Sequence, residues 1–152
     1  MMITAVDENS LDAAAWIHAL SWQESHKSFC APAFVALHTP ERQRKYLSDK
    51  IGCGAQVYLL ADPEPVGIVS VTGSLIEDLY VLPECQNRGY GSMLLDFAVK
   101  KCAGTPTLWI LNNNDGARRL YERYGFRPTG GVHALSEDLR EIEFIFMTGE
   151  NE

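Results

Sequence analysis

The stretch Leu79-Tyr80-Val81-Leu82-Pro83-Glu84-Cys85-Gln86-Asn87-Arg88-Gly89-Tyr90-Gly91-Ser92-Met93-Leu94-Leu95 decides how the chain is read. An apolar strand enters, a loop with two glycines turns, and an amphipathic helix leaves. Glycine lets successive backbone N–H groups point into one concavity. The start of the helix adds unpaired N–H groups and the positive end of its dipole. Such a loop holds a phosphate or a diphosphate, and Arg88 would add a charge-assisted contact. A dinucleotide fingerprint needs a third glycine where Leu94 stands, and a P-loop needs Gly-Lys-Ser/Thr; neither is present. Gly52-Cys53-Gly54 fails the same test at Val57. The alternative is that Gly89 and Gly91 merely serve a turn.

Outward from this loop, hydrophobic spacing gives the remaining elements. Met2–Val6 reads as a strand, and Asn9 or Ser10 as the cap of a helix running to about His26. The stretch 27–38 reads as irregular. Thr39-Pro40-Glu41 opens a second helix that stops at Gly52. Gln56–Ala61, Val66–Thr72 and Leu75–Leu82 read as three strands close in sequence, hence an antiparallel meander. Ser92–Cys102 is a helix, Thr107–Leu111 a strand, Asp115–Tyr124 a helix closed by Gly125, and Glu141–Met147 a last strand. The order β-α-α-β-β-β-α-β-α-β-β implies a mixed α/β (α+β) sheet with helices on both faces.

The 152 residues suit a single domain, 1–152, with 149–152 a frayed tail. No apolar run approaches the roughly 20 residues of a bilayer span, and the first residues lack a basic region, so the expectation is a cytoplasmic chain away from membranes. Thirteen Lys and Arg against twenty Asp and Glu give a net charge of −7, which disfavours nucleic acid and suits a cationic partner. Cys30, Cys53, Cys85 and Cys102 form no CxxC pair and read as reduced thiols. His26 and Cys30 are four apart, but two ligands do not close a metal site, so no metal is expected.

Two motifs bring a family into view. Gln86-x-x-Gly89-x-Gly91, after a strand ending Leu79-Tyr80-Val81-x-Pro83, resembles the diphosphate-binding motif of the Gcn5-related N-acetyltransferase (GNAT) superfamily. Leu108–Asn114, followed by Ala117, Leu120-Tyr121-Glu122 and Gly125-Phe126, resembles that superfamily's second acetyl-CoA segment, in the right order and at the usual separation. The resemblance covers about residues 56–147 well, and the N-terminal helices only in layout.

The resemblance implies an acyl-CoA N-acyltransferase fold whose two central parallel strands splay apart. It implies an acetyl-CoA (coenzyme A) dependent N-acetyltransferase, acting on a small-molecule or peptide amine by direct attack in a ternary complex. The pantetheine would pair with Leu79, Tyr80 and Val81, and the diphosphate with Gln86, Asn87, Arg88, Gly89, Tyr90, Gly91 and Ser92. Asn114 would shape the pantetheine side or cap the following helix. Tyr121 matches the general acid that protonates the leaving sulfur, with Tyr124 a weaker candidate. A backbone N–H near Val81 or Leu82 would hold the acetyl oxygen. A base is sought in Glu77 or Asp78, of which alternation lets only one face a given cleft, or in His133. The superfamily's peptide N-terminal acetylases carry a glutamate on the fifth strand where this chain has Trp109. Trp22, Glu24, His26 and Phe29 are candidate acceptor-lining residues, a Trp and a carboxylate suiting a cationic amine. Trp16 and Trp22 could equally serve helix packing. A non-catalytic acyl-CoA sensor or interaction module with the same fold is the rival reading. Apolar positions on the last strand permit a homodimer.

Overall fold

Seven strands form one mixed sheet in the order β1-β2-β3-β4-β5-β7-β6. The structure is a computed structural model, and it describes residues 1–147; the expected tail 149–152 lies outside the described residues. The strands are β1 Met2–Ala5, β2 Gln56–Ala61, β3 Pro65–Thr72, β4 Leu75–Val81, β5 Thr107–Leu111, β6 Phe126–Ala134 and β7 Arg140–Phe146. The helices are α1 Leu11–His26, α2 Pro32–Ala36, α3 Pro40–Gly52, α4 Tyr90–Lys101 and α5 Asp115–Tyr124. Among the described residues no helix is long and apolar enough to cross a membrane.

Alternation along the strands explains the layers. Val57 and Leu59 of β2 pack with Leu11, Ala14, Ile17 and Leu47 of α1 and α3. Tyr58 and Leu60, pointing the other way, pack with Leu94, Leu95 and Ala98 of α4. Both faces are therefore buried, as the unbroken apolar character of β2 and β3 requires. The expected meander holds: β2, β3 and β4 pair antiparallel in sequence order.

The details differ in three places. Residues 32–36 fold as a short helix inside the stretch expected to be irregular, with Pro32 in its first turn, where a missing N–H costs nothing. Ser10 sits at the N-cap of α1 but does not cap it. Its backbone is helical (φ −107, ψ −2), and its hydroxyl instead accepts the Asp7 N–H at 3.0 Å. Thr39 does cap α3, accepting the Arg42 N–H at 3.2 Å. The loop helix α4 begins at Tyr90, two residues before the expected start.

Two departures from regularity shape the centre of the sheet. β4 and β5 are parallel and paired only at Leu75↔Thr107, so beyond Leu75 the edge of β4 facing β5 has no strand partner. β4 also carries a bulge. Its register on β3 runs Ile68↔Tyr80 and then Ser70↔Glu77, three residues against two, with Asp78 at φ 53.

Candidate active site

The splay opens a cleft of about 1100 Å³ between β4 and β5, floored by α5 and running to the start of α4. Its walls bring together Leu79, Tyr80, Val81, Gln86, Asn87, Gly89, Tyr90, Gly91, Ser92, Asn114 and Tyr121, with Trp22, Glu24 and His26 from α1. Arg88 is exposed and not among the lining residues. Phe29 also stays out of the wall; its ring lies 5.2 Å from that of His26, which does line the cleft.

The loop has the conformation its glycines predicted, with one addition. Gly89 (φ 87) is the N-cap of α4, and Asn87 (φ 64) also adopts the left-handed region, which Asn tolerates better than most residues. Left-handed residues are part of the backbone pattern from which anion nests are built.

Val81 presents its backbone to the cleft. Leu82 N–H donates to Val66 O at 2.9 Å, so Leu82 is turned toward β3 and cannot serve as the free donor. Val81, one residue earlier, points its N–H and carbonyl to the opposite edge. That carbonyl already accepts from Ser21 Oγ at 3.3 Å and Gln86 Nε2 at 3.1 Å.

Asn114 sits at the N-cap of α5. It lines the cleft, and its Oδ1 accepts the Ala117 N–H at 3.1 Å, capping α5. Tyr121 is 8% exposed, packs edge-on to Phe126 and lines the cleft. Among the described residues no buried side-chain oxygen lacks a partner, and no hydrogen bond engages the Tyr121 hydroxyl, so it opens to the cleft. Burial lifts its pKa well above the usual phenol range. Tyr124 is spent elsewhere: its hydroxyl donates to Asp96 Oδ1 at 2.6 Å. Burial, followed by the Asp96 carboxylate, pushes its pKa up to about 12.

The expectation for the two β4 acids is overturned. Strict alternation separates Glu77 from Asp78, but the bulge turns both toward Lys50, whose Nζ donates 2.7 Å bonds to Glu77 Oε1 and Asp78 Oδ2. Asp78 further accepts from His18 Nε2 at 3.2 Å, Ser70 Oγ at 3.0 Å and Tyr46 Oη at 3.1 Å. Gln43 Nε2 donates to His18 Nδ1 at 2.7 Å, which leaves Nε2–H to face Asp78. Desolvation works to raise the Asp78 carboxyl, but the bonds from His18 and the Lys50 charge win and hold it well below the usual carboxylate range. A carboxylate so satisfied is a poor proton acceptor, so Asp78 does not suit the base role, and Glu77 has one oxygen on Lys50. Sequence reasoning missed His18, Tyr46 and Lys50, which meet Asp78 from 28 to 60 residues away, and Gln43, which reaches it through His18; no local pattern marks them.

Trp109 stacks on His133, with centroids 4.1 Å apart and planes 9° apart, and both line the cleft. Trp22 stacks between His26 (3.9 Å) and His38 (3.4 Å). His26 and His133 are thus parts of the cleft wall, and His38 supports Trp22 from outside it. Desolvation leads in lowering the pKa of His26 and His38. Among the described residues no three His, Cys, Asp or Glu side chains come together as a metal site, and the four cysteines are unpaired.

A strand–loop–helix turn thus lies at one end of a splayed parallel pair, with a buried tyrosine in the gap. The acetyltransferase (GNAT) domain family matches residues 48–128, a little over half of the sequence, and the chain belongs to that family. It is 33% identical over 67 residues to the peptidyl-lysine N-acetyltransferase YjaB of Salmonella typhimurium. That alignment covers 44% of this chain and 46% of the relative, so it spans about half the length of the curated protein. Solved structures share the fold. PaiA N-acetyltransferase from Thermoplasma acidophilum, in complex with coenzyme A, superposes with a TM-score of 0.70 at 18% identity, over 94% of this chain and 98% of that one. Apo-form YjaB from Escherichia coli gives 0.67 at 19% identity, over 98% and 100%.

Proposed function

We propose that the protein is an N-acetyltransferase that moves the acetyl group of acetyl-CoA to a primary amine by direct attack in a ternary complex. One observation carries this reading: the β4 edge without a strand partner, the left-handed turn at Gly89 and Tyr121 all line a single cleft. Bound acetyl-CoA would supply an activated thioester there.

Each wall then has a task. The Gln86–Ser92 N–H groups hold the diphosphate. The β4 edge at Leu79–Val81 takes the pantetheine, with Gln86 Nε2 leaving the Val81 carbonyl to make room. The Val81 N–H receives the negative charge that develops on the acetyl oxygen. The amine lone pair forms a C–N bond to the carbonyl carbon, the C–S bond breaks, and the electron pair leaves on sulfur. Tyr121 donates its hydroxyl hydrogen to that sulfur; burial keeps it protonated at any working pH. The acceptor ammonium first loses a proton to water in the open cleft, which frees the lone pair; after attack the nitrogen loses a second proton, which water carries back to the Tyr121 oxygen.

The acceptor end favours a cation. Glu141 lines the cleft with no ion-pair partner among the described residues, while Trp22 and Trp109 offer ring faces. An alkyl amine such as a lysine side chain meets these features, in keeping with the peptidyl-lysine relative.

The test is release of free coenzyme A thiol from acetyl-CoA across polyamines, aminoglycosides, amino acids and lysine peptides, with mass spectrometry for the product. Acetylation of at least one amine is the expected result. Tight acetyl-CoA binding without turnover on any of them would refute catalysis and leave a cofactor-binding module.

A further inference from the structure

The first proton of the acceptor ammonium leaves to water, and one side chain in the cleft wall is arranged to carry it further. The acids of β4 are committed to Lys50, and Glu24 pairs with Lys27 at 2.8 Å. Among the described residues two histidines line the cleft, His26 and His133. The His133 ring rests on Trp109, and no hydrogen bond among the described residues fixes either of its nitrogens. In His26 both the ring plane and the tautomer are set.

The His26 ring lies on Trp22, with centroids 3.9 Å apart and planes 9° apart, and Phe29 is 5.2 Å away. Its Nδ1 is 2.8 Å from the Trp22 carbonyl oxygen, which can only accept, so Nδ1 carries the hydrogen. Ser25 Oγ, 2.9 Å from Nδ1, gives its own hydrogen to the same carbonyl at 3.0 Å. The lone pair is therefore on Nε2, across the ring from the helix backbone. Nε2 has no hydrogen-bond partner among the described residues, and no buried side-chain nitrogen among them lacks one, so Nε2 is open.

Helix α1 ties this ring to the reacting end of the cleft. Ser21 Oγ donates to the Val81 carbonyl at 3.3 Å, on the residue assigned to the acetyl oxygen. His26 is five residues further along α1, about 7–8 Å at 1.5 Å per residue. An amine in reach of the acetyl carbon and one bridging water, with two hydrogen bonds of about 2.8 Å, span that gap. The surroundings favour the neutral ring. Desolvation leads in lowering the pKa, His38 beyond Trp22 and His18 act the same way, and only the bond to the Trp22 carbonyl opposes them. The acids elsewhere in the wall, Glu77, Asp78 and Glu141, belong to β4 and β7.

We propose that His26 Nε2 is the general base that accepts, through one water, the first proton of the acceptor ammonium. This rests on the amine-acetylation reading of the cleft. The ammonium N–H bond breaks and its electron pair stays on nitrogen as the attacking lone pair. The bridging water takes that proton and gives one of its own to Nε2, and the imidazolium returns it to bulk solvent after turnover.

The test is the pH profile of kcat/KM for a lysine peptide at saturating acetyl-CoA. For the unaltered protein it should climb as pH rises through the lowered imidazole pKa, then stay level to about pH 10, where the lysine ammonium itself titrates. Without the base only free amine reacts, and log kcat/KM climbs by about one per pH unit up to about pH 10. His26→Phe keeps a ring on Trp22 and should show that climb, with a loss of about 10²-fold at pH 7 that shrinks toward pH 10. His26→Ala should regain activity with added imidazole, in proportion to its neutral form. An unaltered protein without the level region, or a His26→Phe variant that keeps it, overturns the proposal. So does a loss equal at every pH with no rescue by imidazole, which would make His26 a packing residue. Absence of coenzyme A release with lysine peptides at any pH overturns the amine-acetylation reading instead.

Discussion

Replacing Asp78 by Ala should be among the most damaging substitutions on the sheet. The carboxylate is 10% exposed and its partner Lys50 13%, and their bond is 2.7 Å. Removing one member of a buried pair costs about 3–5 kcal/mol, because the other charge stays buried. Glu77, 43% exposed, keeps its bond to Lys50 and screens part of the loss, so the lower half of that range applies. Ala also tolerates φ 53 less well than Asp. At this chain length each kcal/mol moves Tm by roughly 2–4 °C, so a fall of about 6–15 °C is expected. Asp78→Asn keeps the shape and the tolerance for a left-handed backbone. It retains an acceptor for Tyr46 or Ser70, and should cost about 1.5–3 kcal/mol, the value of a charged hydrogen bond. The assay is urea unfolding with the slope m monitored, and a cycle with Lys50→Met should give a coupling of roughly 1–3 kcal/mol. A loss below about 1 kcal/mol for Asp78→Ala at unchanged m would show that the carboxylate is neither buried nor paired.

The same network sets a pH dependence. The folded Asp78 carboxyl sits below its unfolded value of about 3.9, so its stabilisation is full above that pH and drains away as pH falls below it. Acid unfolding of Asp78→Asn, followed by circular dichroism, should lack this part of the slope; an unchanged slope would place the acid sensitivity elsewhere. Lys50 has the opposite sign: desolvation lowers its pKa, Asp78 and Glu77 raise it further, and its contribution is lost only as pH rises through the raised folded value. Tyr121→Phe keeps the ring against Phe126 and should lower kcat about tenfold to a hundredfold with acetyl-CoA affinity unchanged, because general acids are worth about 10²–10⁴ and a thiolate is already a fair leaving group. Full kcat with chemistry rate-limiting would make Tyr121 a packing residue. Gly125→Ala places a Cβ at φ 126, 3.1 Å from Phe146 Cε1 and 3.3 Å from the Met147 carbonyl, and should cost roughly 1–3 kcal/mol in a thermal melt; a neutral result would contradict that backbone.

What the sequence made legible was local. Apolar, β-prone runs bounded by turns located β2 to β5 to within a residue or so, Thr39-Pro40 marked the start of α3, and the two glycines of 89–91 marked the loop that leads into α4. Asp78 lay beyond such reading. A bulge changes which side chains share a face, and nothing in Leu75–Val81 announces one, so alternation separated two acids that both reach Lys50. Tyr124 was equally opaque: its spacing on α5 resembles that of Tyr121, and only tertiary packing engages its hydroxyl with Asp96.

The single β4–β5 bridge has a consequence for how the molecule opens. Hydrogen-bonded strand pairing divides into a four-strand block, β1 to β4, and a three-strand block, β5 to β7, joined at Leu75↔Thr107. A seam with one ladder rung transmits little backbone cooperativity, so amide exchange should resolve two sub-global units with separate opening free energies. A ligand lying along the seam touches both blocks and penalises the opening of each. Adding coenzyme A should therefore merge the two exchange populations into one, turning the cofactor into a missing strand of the fold.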